Sequence, residues 1–371
     1  MGKLHHSRVS SRCCDNVRCM RYDIDPDVAR ARALDPSFYA SDAAFAATRE
    51  KIFARTWQWL GDVDDVELPG SLSPRMLLPG FLDEPLLLAR DDAGTLRCLS
   101  NVCTHRGNLL VKAPCRASDI RCGYHSRRFD LAGRMTFMPG FADAPGFPSP
   151  ADDLPHVAFV ELGPHAFVAL DPAAPARSFL GDMIERTAHL TPEDFVHDPS
   201  RDRDFSVNAH WALYVENYLE GLHIPYVHPE LATTIDSAGY TTELFAFSSL
   251  QQAQARDGTP AFDGTSIAAS YWFVFPNLML NFYPWGLSIN LVEPLSPSRT
   301  RVRFRSYVDN AARLDGGAGG ALDRVEQEDE AVVEAVQAGV RARLFKGGRY
   351  SPGLERGVHH FHRLLARFLA E

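Results

Sequence analysis

Cys103-Thr104-His105 and Cys122-Gly123-Tyr124-His125 each set one sulfur and one imidazole on a short segment, with 16 residues between the two groups. Gly107 and Gly123 let both segments turn tightly. Two loops that each offer a thiolate and an imidazole match a two-iron, two-sulfide cluster in which one iron takes both cysteines and the other both histidines. The competing assignment is structural zinc, for which Cys2His2 is also a ligand set. Zinc sites pair Cys with Cys and His with His within a loop, so the mixed loops favour the cluster. Cys98 and Cys115 have no such histidine neighbour and read as core cysteines.

A second group lies in NAHWALYVENYLEGLHIPYVH. Helical periodicity puts Trp211, Tyr214, Val215, Tyr218 and Leu222 on an apolar face and Asn217, Glu220 and His223 opposite, at successive i+3 steps. Histidines five apart on an unbroken helix would diverge by about 140°. Pro225 is therefore expected to break the helix and let His228 turn back toward His223. The competing reading is a solvated polar face. A third ligand comes from ALDRVEQEDEAVVEAVQAGV, where Val325, Val332, Val333, Val336 and Val340 form a stripe with Asp329 at its centre. A carboxylate aimed at a core needs a cation, a donor network or a proton. Iron on His223, His228 and Asp329 would supply the cation, with Glu328 as fallback ligand. A 2-His-1-carboxylate set leaves coordination positions open for dioxygen.

The rest of the 371 residues must position these groups. The chain is 45% hydrophobic and 11% aromatic, enough for a large core and two domains. A net charge of -9 argues against a nucleic-acid partner, and no stretch approaches the roughly 18 apolar residues of a membrane span. Residues 1–34 read as a disordered leader with neither an export nor a lipidation signal, so the cytoplasm is the expected compartment, ahead of an organelle reached through a short Arg- and Ser-rich transit peptide. Seven cysteines without disulfide-framework spacing imply reduced thiols or metal ligands; Cys13, Cys14 and Cys19 crowd the leader. One amphipathic helix is expected over 35–60, and short apolar runs between Gly, Pro and Asp turns predict an all-β domain over 61–163. Residues 164–371 predict an α+β domain. It would hold a long helix near Asn208 to Leu222, strands near Ser270 to Phe275, Leu278 to Tyr283 and Thr300 to Val308, a flexible loop at Gly316 to Gly320, and two C-terminal helices.

On these motifs the sequence resembles the α subunits of Rieske non-haem iron oxygenases, the family of aromatic-ring hydroxylating dioxygenases and of choline, carnitine and betaine-type monooxygenases. The resemblance covers most of the chain: the two cluster loops, ENYLEGLHIPYVH, FPNLMLNFYP, and EDEAVVEAVQ with the later GRYSP and HHFHRLL. It implies a Rieske all-β domain joined to a helix-grip (START-like) catalytic domain with an antiparallel sheet. It also implies a head-to-tail homotrimer in which one subunit's cluster serves its neighbour's iron. Where the family commonly has a bridging aspartate this chain has Glu220, as in the quaternary-ammonium monooxygenases. Where it usually has Gly-Trp after the second cluster histidine, this chain has Ser126-Arg127, which bears on the cluster's potential and on the reductase-docking surface.

The expected activity is that of the oxygenase component of a multicomponent system. NAD(P)H-derived electrons would arrive through a reductase, with or without a ferredoxin, and pass from Cys103, His105, Cys122 and His125 by way of Glu220 to iron. The substrate would be a small organic molecule such as a quaternary ammonium or N-methyl compound, hydroxylated with ensuing demethylation. An aromatic-ring dioxygenase and a Rieske electron carrier are the alternatives; the second ligand set counts against the carrier. Asn217 is expected to act around the iron. Trp272, Phe273, Phe275, Phe282, Tyr283 and Trp285 could cage a trimethylammonium group or simply form sheet core. His359, His360 and His362 read as packing or surface residues.

Overall fold

The computed structural model describes residues 22–371; Cys13, Cys14 and Cys19 lie outside them. The architecture is α+β with antiparallel sheets. In the first half, the strands Leu96–Ser100, Glu84–Arg90, Ser71–Leu77 and Cys115–Arg116 form one sheet in that order, and Ile120–Arg121, Arg128–Phe129 and Met135–Phe137 form a second. A small core between them (Leu72, Leu87, Leu99, Ile120, Phe129, Leu131) also takes in Cys103 and Cys122.

In the second half, eight strands make one twisted antiparallel sheet. Its central members Leu278–Tyr283 and Gly286–Ser296 are buried on both faces over most of their length, which is why FPNLMLNFYPWGLSINLVEP reads as a nearly continuous apolar run. The C-terminal helix Arg356–Ala370 is gripped by this sheet, with Phe361 edge-on to Phe273 at 5.7 Å and Phe368 packed on Phe275 at 5.2 Å. Gly357 opens that helix against the carbonyl oxygen of Leu219, an approach that no Cβ could share. The end of one functional helix is thereby set by the start of another. A third sheet of Gln58–Asp62, His165–Ala169 and Ala158–Leu162 links the halves, and its hairpin pairs Leu162 with His165 across the expected division at 163/164.

Several expectations are corrected. Residues 35–60 are not one helix: Ser41 caps a helix Asp42–Lys51, a short turn Phe53–Arg55 follows, and Gln58 begins a strand. Its Trp57 and Trp59 are buried as loop and strand residues. The helix expected to reach Leu222 spans only Trp211–Tyr218, so Asn217, Glu220 and His223 do not share a helical face. Pro225 breaks nothing; it sits in the first turn of the short helix Ile224–Val227, where a missing N–H costs little. Gly316 to Gly320 is no free loop, since Ala318 and Gly319 are buried. The strands Ile235–Leu244, Ser248–Ala255 and Gly286–Ser296 were not anticipated.

His210 caps the helix Trp211–Tyr218: its Nδ1 accepts the Ala212 amide at 3.2 Å, which requires a neutral ring. The imidazole is fully buried among Phe38, Tyr39, Phe45 and Trp211, and burial holds its pKa down at about 3. A histidine whose folded pKa is depressed takes up its proton mainly on unfolding. Its contribution is thus complete above the ordinary value near 6.5 and is lost as pH falls toward 3. We expect about 3 kcal/mol of pH-dependent stability between pH 7 and pH 4 from this residue, absent in His210→Asn. Urea unfolding of both proteins at several pH values measures it; equal slopes against pH would refute the assignment.

Candidate functional site: a cluster-binding pair of loops and a metal-ligating triad

The two sequence motifs of the first half form facing loops. Each is closed by its own backbone: Gly107 N–H donates to Cys103 and Ser126 N–H to Cys122, both at 3.0 Å. The thiols of Cys103 and Cys122 are buried, and the His105 and His125 rings lie 4.8 Å apart at 70°. Burial pushes the Cys103 thiol up. Burial also opposes ionisation of Cys122, but amide donors from Tyr124 and His125 with the Asn108 side chain outweigh it and hold that thiol down. His125 Nδ1 is buried without a hydrogen-bond partner among the described residues. An orphaned imidazole nitrogen beside two thiols ringed by N–H donors is a donor set that fits the cluster, because hydrogen bonds to sulfur stabilise it.

Ser126 and Arg127 have structural reasons. Ser126 has φ of 61°, a conformation that glycine adopts freely and serine does not. Arg127 is only 2% exposed, between the rings of Phe129 and Phe147, each 5.7 Å from its guanidinium carbon. It is therefore inside the domain and presents no docking surface. Its guanidinium donates to the Asp152 carboxylate at 2.7 Å and to the Asp152 carbonyl at 3.2 Å; Thr104, inside the first loop, donates its hydroxyl to the same carbonyl at 2.7 Å. One residue thus ties both loops together.

In the second half, His223, His228 and Asp329 each turn a ligand atom to a common point, all within 4.8 Å of one another. Glu220 makes the turn that brings the histidines together. Its carboxylate accepts the Leu222 and His223 amides and holds His223 Nδ1 at 2.6 Å, so the chain reverses just past the helix end. Glu328 holds His228 Nδ1 at 2.7 Å, which makes it the outer partner of a histidine and not a fallback ligand. With both Nδ1 atoms occupied, the Nε2 atoms face Asp329 Oδ1, at 3.5 Å for His223 and 3.0 Å for His228. Asn217 Nδ2 donates to the same oxygen at 2.6 Å. Burial opposes a charged His228 ring, yet the Asp329 and Glu328 carboxylates outweigh it and raise its pKa. Two imidazole nitrogens and a carboxylate oxygen with fixed outer partners suit a divalent metal, and the fit needs no rearrangement of the outer shell.

The triad opens on a cavity of about 100 Å3 lined by Tyr218, Tyr240, Tyr271, Tyr283, Asn281, Asn290 and Glu326 among others. Tyr271 stands edge-on to Tyr218 at 6.3 Å and to Tyr283 at 6.0 Å. Burial raises the pKa of all four phenols, so they remain neutral. Of the six aromatic candidates read from sequence only Tyr283 lines the cavity; Trp272, Phe273, Phe275, Phe282 and Trp285 are buried core. Tyr218, Tyr240 and Tyr271 were missed in that role, and alternation along the strand from Ile267 was the available signal for Tyr271. Glu326 was also missed. The buried face of the helix Leu322–Gly339 runs through Glu326, Val333 and Gln337, while Val336 is 42% exposed. Glu326 accepts the Tyr214 hydroxyl at 2.6 Å through Oε2, and its Oε1 has no partner among the described residues. Burial raises its pKa to about 8. His359 and His362 are buried packing residues, the latter joined to the Tyr350 hydroxyl at 2.6 Å.

Comparison with known proteins assigns both halves. The Rieske [2Fe-2S] domain family matches residues 56–148 and the ring hydroxylating alpha subunit catalytic domain family matches residues 192–371. The chain is 28% identical to choline monooxygenase, chloroplastic, of Arabidopsis thaliana over 92% of this chain and 85% of that protein. It is likewise 28% identical to the carnitine monooxygenase oxygenase subunit of Escherichia coli K12, over 89% and 92% respectively. The crystal structure of the quaternary ammonium Rieske monooxygenase CntA superposes with a TM-score of 0.74 at 22% identity, covering 93% of this chain and 96% of that one, a likeness of fold. No helix among the described residues is long and apolar enough to cross a membrane. The chain belongs to the Rieske non-haem iron oxygenases, as the oxygenase subunit of a multicomponent monooxygenase system whose cofactors are a [2Fe-2S] cluster and a mononuclear iron.

Proposed function

We propose that the protein hydroxylates a small quaternary ammonium or N-methyl substrate, with Cys103, His105, Cys122 and His125 holding the cluster and His223, His228 and Asp329 holding the iron. The observation that carries the substrate class is the ring of Tyr218, Tyr240, Tyr271 and Tyr283 on the cavity above the triad. Neutral phenol faces attract a cation that brings no hydrogen-bond donors of its own. The names of the relatives, which act on choline and carnitine, point the same way. When bound, the two metal groups supply one-electron transfer and activation of dioxygen.

The chain's own residues do the rest. Glu220 and Glu328 fix the Nδ1 protons and thereby present Nε2 of both histidines inward. Asn217 holds Asp329 by one oxygen. The tyrosines exclude water and orient the methyl groups toward the triad. Glu220 is also the residue proposed to reach a neighbouring subunit's cluster domain in a head-to-tail homotrimer, and an NAD(P)H-dependent reductase, directly or through a ferredoxin, is the proposed electron source. The domain division proposed is a cluster domain over 61–163 and a catalytic domain over 164–371, joined by the sheet that crosses 163/164, after a leader over 1–34 whose described end packs Ala31 and Leu34 into the core and a segment over 35–60 that packs on the catalytic domain. The four described cysteines form no disulfide, Cys103 and Cys122 being cluster ligands in this reading, which favours a reducing compartment such as the cytoplasm.

Three outcomes test this reading. Protein isolated without oxygen should contain three irons and two labile sulfides per chain, and with a surrogate reductase should release formaldehyde from choline or a related N-methyl cation; a set of such cations yielding no oxygenated product would end the assignment. Glu328→Gln should weaken iron binding by roughly 10- to 100-fold while sparing the cluster, as read by metal titration with sulfide content as control. Glu220→Ala with both metals in place should lose coupled turnover, and undiminished activity would remove its bridging role.

A further inference from the structure

Among the described residues that line the cavity there is no lysine and no arginine, while three carboxylates, Glu220, Glu326 and Asp329, stand on its wall. Glu220 is occupied by His223 and two backbone amides, and Asp329 by Asn217 and the two histidines. Glu326 alone on this wall keeps a buried oxygen without a hydrogen-bond partner among the described residues. It is 3% exposed, fixed through its other oxygen by Tyr214, and lies one helical turn before Asp329. Neutral donors and acceptors complete the wall, with Asn281 held by the Tyr218 hydroxyl and Asn290 by the Ser288 hydroxyl.

Resting on the quaternary-ammonium reading above, we infer that the cavity selects a cation with an uncharged tail, such as an amino alcohol, against the corresponding betaine, and that Glu326 is the specificity-determining residue. With the methyl groups turned toward the triad, a carboxylate at the other end of the substrate would lie away from the histidines and their metal, on a wall that carries Glu326 and has no guanidinium or ammonium to receive it. A hydroxyl tail meets Asn281, Asn290 or Tyr218 without needing either. The ammonium group in turn supplies the charge that a buried carboxyl lacks, and the ordinary resistance of Glu326 to ionisation in the closed cavity is relieved by its arrival.

The test is anaerobic calorimetric binding to the holoprotein, with both metals loaded, of three ligands of one shape: choline, glycine betaine and the uncharged tert-butyl analogue of choline. Choline is expected to bind about tenfold or more tighter than glycine betaine, and Glu326→Gln, which keeps an acceptor for Tyr214, is expected to close most of that gap. Equal binding of choline and glycine betaine would overturn the inference, and an unchanged preference in Glu326→Gln would overturn the role of this residue. If the tert-butyl analogue binds as tightly as choline, it is the ammonium reading itself that fails. Iron and sulfide content of each sample, measured alongside, shows that the variant carries the same metals.

Discussion

A carboxylate carried inward on a long helix must be answered by donors or by a cation, and the catalytic half is arranged around that demand. Asp329 collects the Asn217 amide and the Nε2 atoms of two histidines, and each of these is held from behind. Asn217 comes from the helix that His210 caps; His223 and His228 come from the turn that Glu220 makes. Glu328 reaches back from the helix of Asp329 itself to fix His228. Three chain segments separated by up to 112 residues therefore meet at one oxygen atom. The site is built by convergence and would not survive the loss of any one contributor unchanged.

The cluster half solves a different problem. Its proposed ligands sit on two short loops that share no regular element, so their spacing relies on ties between loops. Asp152 supplies them: its carbonyl receives both Thr104 from the first loop and Arg127 from the end of the second, and its carboxylate closes the ion pair. At position 127, where the resemblance implies a tryptophan, a guanidinium lies buried between two phenylalanine rings. Packing and charge are thus combined in one side chain.

What could be read from sequence divides along physical lines. Cysteine, histidine and aspartate at short offsets, or at the centre of an apolar stripe, carry their chemistry in their type, so the ligand candidates stood out. Apart from Tyr283 the aromatic wall did not, because Tyr218, Tyr240 and Tyr271 come from a helix end and two strands whose register only the folded sheet defines. Glu326 was hidden by polarity: a glutamate on a charged helix reads as solvated, and only tertiary contact with Tyr214 turns it inward. The helix expected from the i+3 spacing of Asn217, Glu220 and His223 runs too long because that spacing carries it across Gly221, a poor helix former. It is the side chain of Glu220, capturing the next two amides, that ends the pattern.

The buried turn Gly317–Gly319 lies against the aromatic pair Tyr283 and Trp285, whose rings stack at 5.3 Å. A Cβ on Gly319 would overlap both rings. Ala318 meanwhile reaches the cavity itself, next to Leu322 and Val325. This short segment acts as a shim: its two glycines leave no room for a side chain against Tyr283 and Pro260, so the wall of the cavity is set by backbone there, and Ala318 is the one member that borders the cavity. A change of size at Ala318 would alter the room beside the tyrosines from a segment separate from the triad, which gives substrate preference a place to diverge.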